Sequence, residues 1–177
     1  MTLADEIKSL IRDVPDFPRP GIIFKDMTPL LESPKVVKRV VDGLAAPFAG
    51  SSVNAVTAIE ARGFLFGFLL AQILDVPFIP VRKKGKLPYK KISQEYSLEY
   101  GSAEIEIHED AIQPGWKVLV HDDLLATGGT ADAAAKLVQK LKGEVAGFSF
   151  VVDLAFLGGS ALLQKQYNCK PETLIQY

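Results

Sequence analysis

Residues Val118–Thr130 read VLVHDDLLATGGT. An apolar, β-branched run leads into two adjacent acids, Asp122 and Asp123. A short apolar pair follows, then Ala126-Thr127-Gly128-Gly129-Thr130, then an alanine-rich segment with helical character. In open α/β sheets ligands sit at the carboxyl ends of strands, which is where this pattern delivers its acids. Adjacent carboxylates accept hydrogen bonds from a vicinal diol or face a metal ion. Gly128 and Gly129 let the backbone curl so that amides point inward. Thr127 and Thr130 add hydroxyl donors, and the following helix adds its N-terminal amides and dipole, which together make an anion site. Acids for a diol, a few residues from a cradle for an anion, specify a ribose 5-phosphate. A Gly-Gly turn between strand and helix is often only a tight turn; the apolar strand, the acid pair and the flanking threonines favour the ligand reading.

Working outward, the same rhythm recurs. Ala55–Ile59 (AVTAI) reads as a buried strand, Gly63–Leu74 as a helix apolar on nearly all sides and hence buried, and Pro77–Val81 as a short strand. Trp116–His121 is a strand, Thr130–Leu141 a helix, and Val145–Val152 another apolar strand. This alternation predicts an α/β fold with a mainly parallel central sheet flanked by helices. Toward the N-terminus, Thr2–Asp13 has helical apolar spacing closed by Pro15. Asp16–Gly21 is a proline-rich turn, and Ile22–Phe24 is a short extended piece. Ser33 and Pro34 open a helix that runs to about Phe48. Arg82–Glu106 breaks the rhythm: it is polar and charged, with a hairpin expected around Tyr100-Gly101. A long polar excursion inside an α/β domain is usually a lid or binding loop.

Composition excludes several classes. The chain has 177 residues, 48% hydrophobic and 23% charged, which fits one globular domain and not a disordered chain. Lys plus Arg number 20 against 21 Asp plus Glu, a balance that argues against a nucleic-acid binder. The longest apolar stretch, Phe64–Leu74, is too short to span a bilayer. Met1–Ile11 lacks the apolar core of a secretion signal, and the single cysteine, Cys169, cannot form an internal disulfide; a cytoplasmic location is expected. There is no Walker loop and no G-x-G-x-x-G, so ATPase and dinucleotide-dehydrogenase readings lose support. With two histidines and no HExxH, a dedicated zinc site is not expected.

The segment at Asp122–Thr130 resembles the phosphoribosyl-diphosphate (PRPP) motif of the type I phosphoribosyltransferases. Four further segments are similar to the adenine-specific branch of that family: Phe17–Asp26 (FPRPGIIFKD), Glu60–Gly67 (EARGFLFG), Val81–Pro88 (VRKKGKLP) and Tyr96–Glu106 (YSLEYGSAEIE). The resemblance covers nearly the whole chain. It implies the type I phosphoribosyltransferase fold as a single domain over residues 1–177. A small hood would come from about residues 1–34 plus a C-terminal segment, and a mobile lid from about residues 82–106. It further implies purine salvage: adenine and PRPP give AMP and pyrophosphate, with Mg²⁺ as cofactor and a homodimer as the assembly.

The resemblance also implies residue roles. Asp122 and Asp123 would hold the ribose hydroxyls and the metal's water shell, and Ala126, Thr127, Gly128, Gly129 and Thr130 the 5′-phosphate. Glu60, Ala61, Arg62 and Gly63 match the pyrophosphate loop. From the residues alone, EARG opens a helix after a buried strand and is a second anion-ready terminus, although Arg62 could instead cap a structural carboxylate. Arg82, Lys83 and Lys86 match pyrophosphate-binding positions at the base of the lid; a charge run of this kind is otherwise a solvated face. Glu99 matches the acid/base at adenine N7, with a strand-edge acid as the plain alternative, and Tyr100 either positions the loop or packs. Ile23, Phe24 and Lys25 correspond to the adenine hood and Leu157 to its opposite side, though all suit an ordinary core. Lys25 stands where many members have arginine, and His121 where an aliphatic residue is usual. Two other readings share the motif: a non-catalytic PRPP-sensing regulator on the same fold, and a transferase for another base. The first usually needs a DNA-binding extension, and the SLEYG and FPRPGIIFKD segments speak against the second.

Overall fold

The strands at the centre of the molecule are those whose residues have no polar face. Val118, Leu119 and Val120 are fully buried, as are Phe148, Phe150, Val151 and Val152. The structure is a computed structural model and describes residues 2–97 and 101–177. In chain order the elements begin with α1 (Leu3–Leu10), β1 (Arg12–Pro15), β2 (Ile23–Asp26), α2 (Thr28–Leu31) and α3 (Pro34–Ala45). Next come β3 (Ala55–Ile59), α4 (Gly63–Leu74), β4 (Phe78–Lys83), β5 (Lys91–Ser97) and β6 (Ser102–His108). Finally there are β7 (Lys117–Leu125), α5 (Gly129–Lys140), β8 (Glu144–Asp153), α6 (Gly159–Tyr167) and β9 (Glu172–Gln176).

The main sheet has the order β5-β6-β4-β3-β7-β8-β9. β4, β3, β7, β8 and β9 run parallel, and β5 and β6 are antiparallel at one edge. Alternation along each strand sends side chains to two cores. Val118 and Val120 of β7 and Phe148 and Phe150 of β8 face α5, whose Ala131, Ala133, Ala134 and Ala135 let the helix lie close to the sheet. Leu119 and Val151 face the other way, against α3 and α4. α4 approaches β3 so closely that a Cβ at Gly67 would fall 2.5 Å from the Ala58 methyl carbon. A separate two-stranded antiparallel sheet, β1-β2, stands beside the main one.

The fold agrees with the sequence reading in its class and in its central elements, and departs from it in several places. The N-terminal helix ends at Leu10, not Asp13: Arg12–Pro15 is drawn into pairing with Ile23–Asp26. Thr2 and Asp5 form a capping box at the start of α1, whereas Ser33 occupies the cap position of α3 without a side-chain hydrogen bond. The α-helix there stops at Ala45, and Ala46–Phe48 tightens into a 3-10 turn around Pro47. The polar excursion is mostly sheet. Its hairpin pairs Ser97 with Ser102 and continues to Lys91 opposite His108, so the hairpin expectation holds for the described strands. β7 runs through the acid pair to Leu125, because pairing of Leu124 with Val152 and Leu125 with Asp153 keeps the backbone extended.

His121 is wholly buried in β7, with Nδ1 3.5 Å from Ser149 Oγ and no partner on Nε2. Burial pulls its pKa down to about 3, outweighing the interaction with Ser149. The imidazole is therefore neutral in the folded protein and protonates near pH 6.5 only after unfolding. Its contribution to stability is complete above the unfolded value and is lost as pH falls toward the folded one. At about pH 5 the cost is about 2 kcal/mol. His121→Leu is expected to show a smaller drop in melting temperature between neutral and acid pH than the wild type. Parallel curves for the two proteins would refute a neutral, buried imidazole.

Candidate active site

Three loops converge at the carboxyl ends of β3, β4 and β7. The first is the turn from β7 into α5. Gly128 adopts φ +88°, a conformation that favours glycine, and Gly129 starts the helix. Ala126, Thr127, Gly128, Gly129 and Thr130 line a small cavity of about 70 Å³ that also touches Asp122. That is the form of an amide cradle at a helix N-terminus. The turn is braced from outside by Gly159, whose N–H donates to the Ala126 carbonyl at 3.1 Å. A Cβ on Gly159 would stand 2.3 Å from that carbonyl oxygen and 2.9 Å from Gly128 N.

The second loop is Glu60–Gly63, between β3 and α4. Glu60, Ala61 and Arg62 line a larger cleft of about 360 Å³ together with Asp122, Asp123, Thr130, Lys83 and Tyr96. Asp122 and Thr130 border both cavities, so the two lie side by side. Gly63 lies against the acids: a Cβ there would meet Asp122 Oδ1 at 2.7 Å. Asp122 Oδ1 accepts a hydrogen bond from the Asp123 N–H at 2.9 Å. Asp123 Oδ2 is 2.8 Å from Arg62 Nε, an ion pair off the N–H axis, which leaves that buried oxygen without an aligned donor. Both carboxyls have raised pKa values. For Asp122 burial is the main cause, with the Asp123 charge adding to it; for Asp123 burial prevails over the attraction of Arg62. Such a pair gains most from a ligand that brings donors or positive charge.

The third loop follows β4. Arg82 does not point its guanidinium into free space: Nη2 donates to Glu60 Oε1 at 2.7 Å and Nη1 to the Lys86 carbonyl at 2.9 Å. The Lys83 N–H donates to Glu60 Oε2 at 3.0 Å. The Arg82 hydrogen bond holds the Glu60 carboxyl below its ordinary range. Glu60 and Arg82 thus tie the second loop to the third. Lys83 faces the cleft, while the Lys86 side chain is exposed and outside its lining.

The remaining expected residues gather at the small sheet. The Phe24 ring lies edge-on to Phe17 and 5.1 Å beneath the Arg62 guanidinium, which joins β2 to the cleft. Ile23 is exposed. Lys25 turns away to Asp13, 2.7 Å from its Oδ1. Leu157 is half-exposed on a 3-10 turn, Ala155–Leu157, and does not line the cleft. Glu99 and Tyr100 lie outside the described residues. Sequence reasoning missed Tyr96 and Gly159. Tyr96 is the aromatic residue that opens the YSLEYG segment, and Gly159 belongs to a second Gly-Gly pair, Gly158-Gly159, just after the last apolar strand; those were the available signals.

The strand-end acids, the glycine turn at a helix N-terminus and the basic loop bring hydrogen-bond acceptors and anion-attracting groups together at one cleft. A family profile described as phosphoribosyl transferase domain matches residues 30–170. An adenine phosphoribosyltransferase of Myxococcus xanthus is 52% identical over 93% of this chain and 90% of its own length. Among solved structures, the adenine phosphoribosyltransferase of Thermoanaerobacter pseudethanolicus superposes with a TM-score of 0.93 at 48% identity, covering 99% of this chain and 100% of that one. The Saccharomyces cerevisiae adenine phosphoribosyltransferase, crystallised with an imino-altritol bisphosphate and adenine, gives 0.89 at 38% identity, with 98% of each chain covered. The chain belongs to the adenine phosphoribosyltransferase family.

Proposed function

We propose that this protein transfers the 5-phosphoribosyl group of PRPP to adenine, releasing pyrophosphate and forming AMP, a step of purine salvage. The observation that carries the reading is that the turn at Ala126–Thr130 adjoins the cleft bearing Asp122, Asp123, Arg62 and Lys83, with Asp122 and Thr130 bordering both. In the reaction the bond between ribose C1 and the pyrophosphate oxygen breaks and its electron pair leaves with pyrophosphate. The bond from adenine N9 to C1 forms, and the base loses a proton. The sugar passes through a cation-like state, so the groups that matter most stabilise the departing anion while holding the ring.

Asp122 and Asp123 accept from the ribose hydroxyls, and the turn into α5 holds the 5′-phosphate. The amides of Glu60–Gly63 and the Lys83 ammonium face the pyrophosphate. Arg82, occupied by Glu60 and the Lys86 carbonyl, holds these two loops together, and Lys86 is brought in from the exposed side. Ile23, Phe24, Lys25 and Leu157 shape the base subsite, and Glu99 handles the proton at N7 with Tyr100 beside it. Residues 1–177 act as one domain, with a hood from about residues 1–34 plus a C-terminal segment and a lid from about residues 82–106.

The residues present fit Mg²⁺ that arrives on the substrate. Asp123 Oδ2 is buried and lacks an aligned donor, Asp122 is beside it, and no cluster of three or more His, Cys, Asp or Glu side chains suited to a metal occurs among the described residues. When bound, the ion would neutralise diphosphate charge, with Asp122 and Asp123 receiving its waters.

A homodimer is supported by α4, whose outer face leaves Leu65, Phe68 and Ile73 each close to half exposed. Beside it Leu31, Val37, Val41, Leu69 and Ile73 line an apolar groove of about 470 Å³. A cytoplasmic location accords with the sequence, and among the described residues no helix is long and apolar enough to cross a membrane.

The test is an incubation with PRPP, Mg²⁺ and, separately, adenine, hypoxanthine, guanine, xanthine and orotate, followed by chromatography of the nucleotides. AMP from adenine, with little product from the others, is expected. Product from another base alone would reassign the substrate, and no product from any base would favour a binding protein over an enzyme.

A further inference from the structure

Tyr177 touches both walls of the proposed base subsite without lining it. Its ring lies beneath the Lys25 ammonium, 4.1 Å from Nζ to the ring centroid, with Lys8 Nζ at 5.3 Å. Lys25 adjoins Phe24 in β2, and its side chain is 15% exposed; its other partner, Asp13, is 56% exposed and therefore a solvent-weakened anchor. On the opposite wall, the Tyr177 main chain holds the start of the turn that carries Leu157. The Tyr177 N–H donates to the Asp153 carbonyl at 3.0 Å, and its main-chain oxygen accepts from the Ala155 N–H at 3.1 Å. The ring also packs on the core shared with Leu154 and Leu174. β1 and β2 form no ladder with the main sheet, so side-chain contacts of this kind set their position against it.

We propose that Tyr177 is a positioning residue for base recognition: its ring, anchored to the 155–157 turn, fixes Lys25 and with it the Phe24 wall of the adenine subsite. This inference rests on the assignment of Phe24, Lys25 and Leu157 to the base subsite. A cation over an aromatic face is a directional contact that an aliphatic residue of similar size cannot replace. Loss of the ring therefore releases β2 while leaving the phosphate cradle and the acid pair in place.

The experiment is steady-state kinetics with each substrate varied in turn, alongside thermal melting. Tyr177→Leu is expected to raise KM for adenine about three- to tenfold, with KM for PRPP and kcat within about twofold of wild type. Tyr177→Phe keeps the ring and should match the wild type. Lys25→Met removes the other half of the contact and should raise KM for adenine similarly, and the double variant should add little to either single change. An unchanged adenine KM in Tyr177→Leu would overturn the inference, as would a parallel rise in both KM values or a Tyr177→Phe variant as impaired as Tyr177→Leu. If Tyr177→Leu does not fold, Lys25→Met decides: an unchanged adenine KM overturns the proposal. A wild-type enzyme that makes no AMP overturns the assigned reaction, and this inference with it, and is a different result from normal turnover with unaltered variants.

Discussion

Replacing Asp122 and Asp123 together by asparagine is expected to lower kcat/KM for PRPP by about a thousandfold. A hydrogen bond to a charged group is worth about 1.5–3 kcal/mol, and the change removes two charged acceptors from one diol and from the ion that accompanies it. The same change should stabilise the ligand-free protein at neutral pH. Both carboxyls are pushed above their ordinary range by burial, and Asp122 also by the charge of Asp123. The unfolded chain therefore releases these protons first. Their contribution to stability is complete below about pH 4 and is lost as pH rises through the raised folded values. Asparagine has nothing to release, so the double variant should melt higher than the wild type at neutral pH without substrate. It should also lack the shift that PRPP gives the wild type. Activity within about tenfold of wild type would show that the pair does not hold the sugar.

The second large effect is expected at Gly159, a residue that lies outside both cavities. Adding one methyl group there puts a carbon 2.3 Å from the Ala126 carbonyl oxygen and 2.9 Å from Gly128 N, and both are backbone atoms that cannot rotate aside. The turn assigned to the phosphate must move or α6 must withdraw. Overpacking of this kind costs about 1–3 kcal/mol, so Gly159→Ala is expected to raise KM for PRPP about ten- to a hundredfold. Gly158→Ala is the control: Gly158 has open space around a Cβ but a φ of +75°, so its cost should fall on stability more than on PRPP binding. A Gly159→Ala enzyme with normal PRPP kinetics would mean that the cradle does not depend on its outer brace.

Much of this was legible in the sequence because the central elements are continuous apolar runs, although the Gly63–Leu74 helix is not buried as its composition suggested: one face packs on the sheet and the other leaves Leu65, Phe68 and Ile73 near half exposed. Ala55–Ile59 and Gly63–Leu74 occupy the ranges that their apolar runs indicated, and the turn at Gly128-Gly129 falls where two glycines and a helix start demanded it. The elements that escaped are short, half-exposed or defined by distant partners. β1 exists through pairing with β2 across a proline-rich turn, and β9 through pairing with β8. In the site, Asp122, Asp123, Arg62 and Lys83 were legible by type and position. The brace at Gly159 was not, because a close backbone approach leaves no residue pattern beyond the glycine itself. Nor was the commitment of Arg82 to Glu60 and Lys86: a basic run does not say which of its charges is already occupied.

The separation of the two sheets has a consequence for how such a protein can change. The sugar contacts are assigned to β7, a strand paired on both sides within the main sheet, and the phosphate contacts to the turn that follows it, where altering the backbone disturbs its neighbours. The base contacts are assigned to a two-stranded flap and a single 3-10 turn that share no ladder with each other. Selection can therefore rewrite the acceptor in one place while the donor end stays fixed. The same division gives an engineer a bounded library, β2 and the turn after β8, in which to search for new nucleobases without rebuilding the ribose phosphate end.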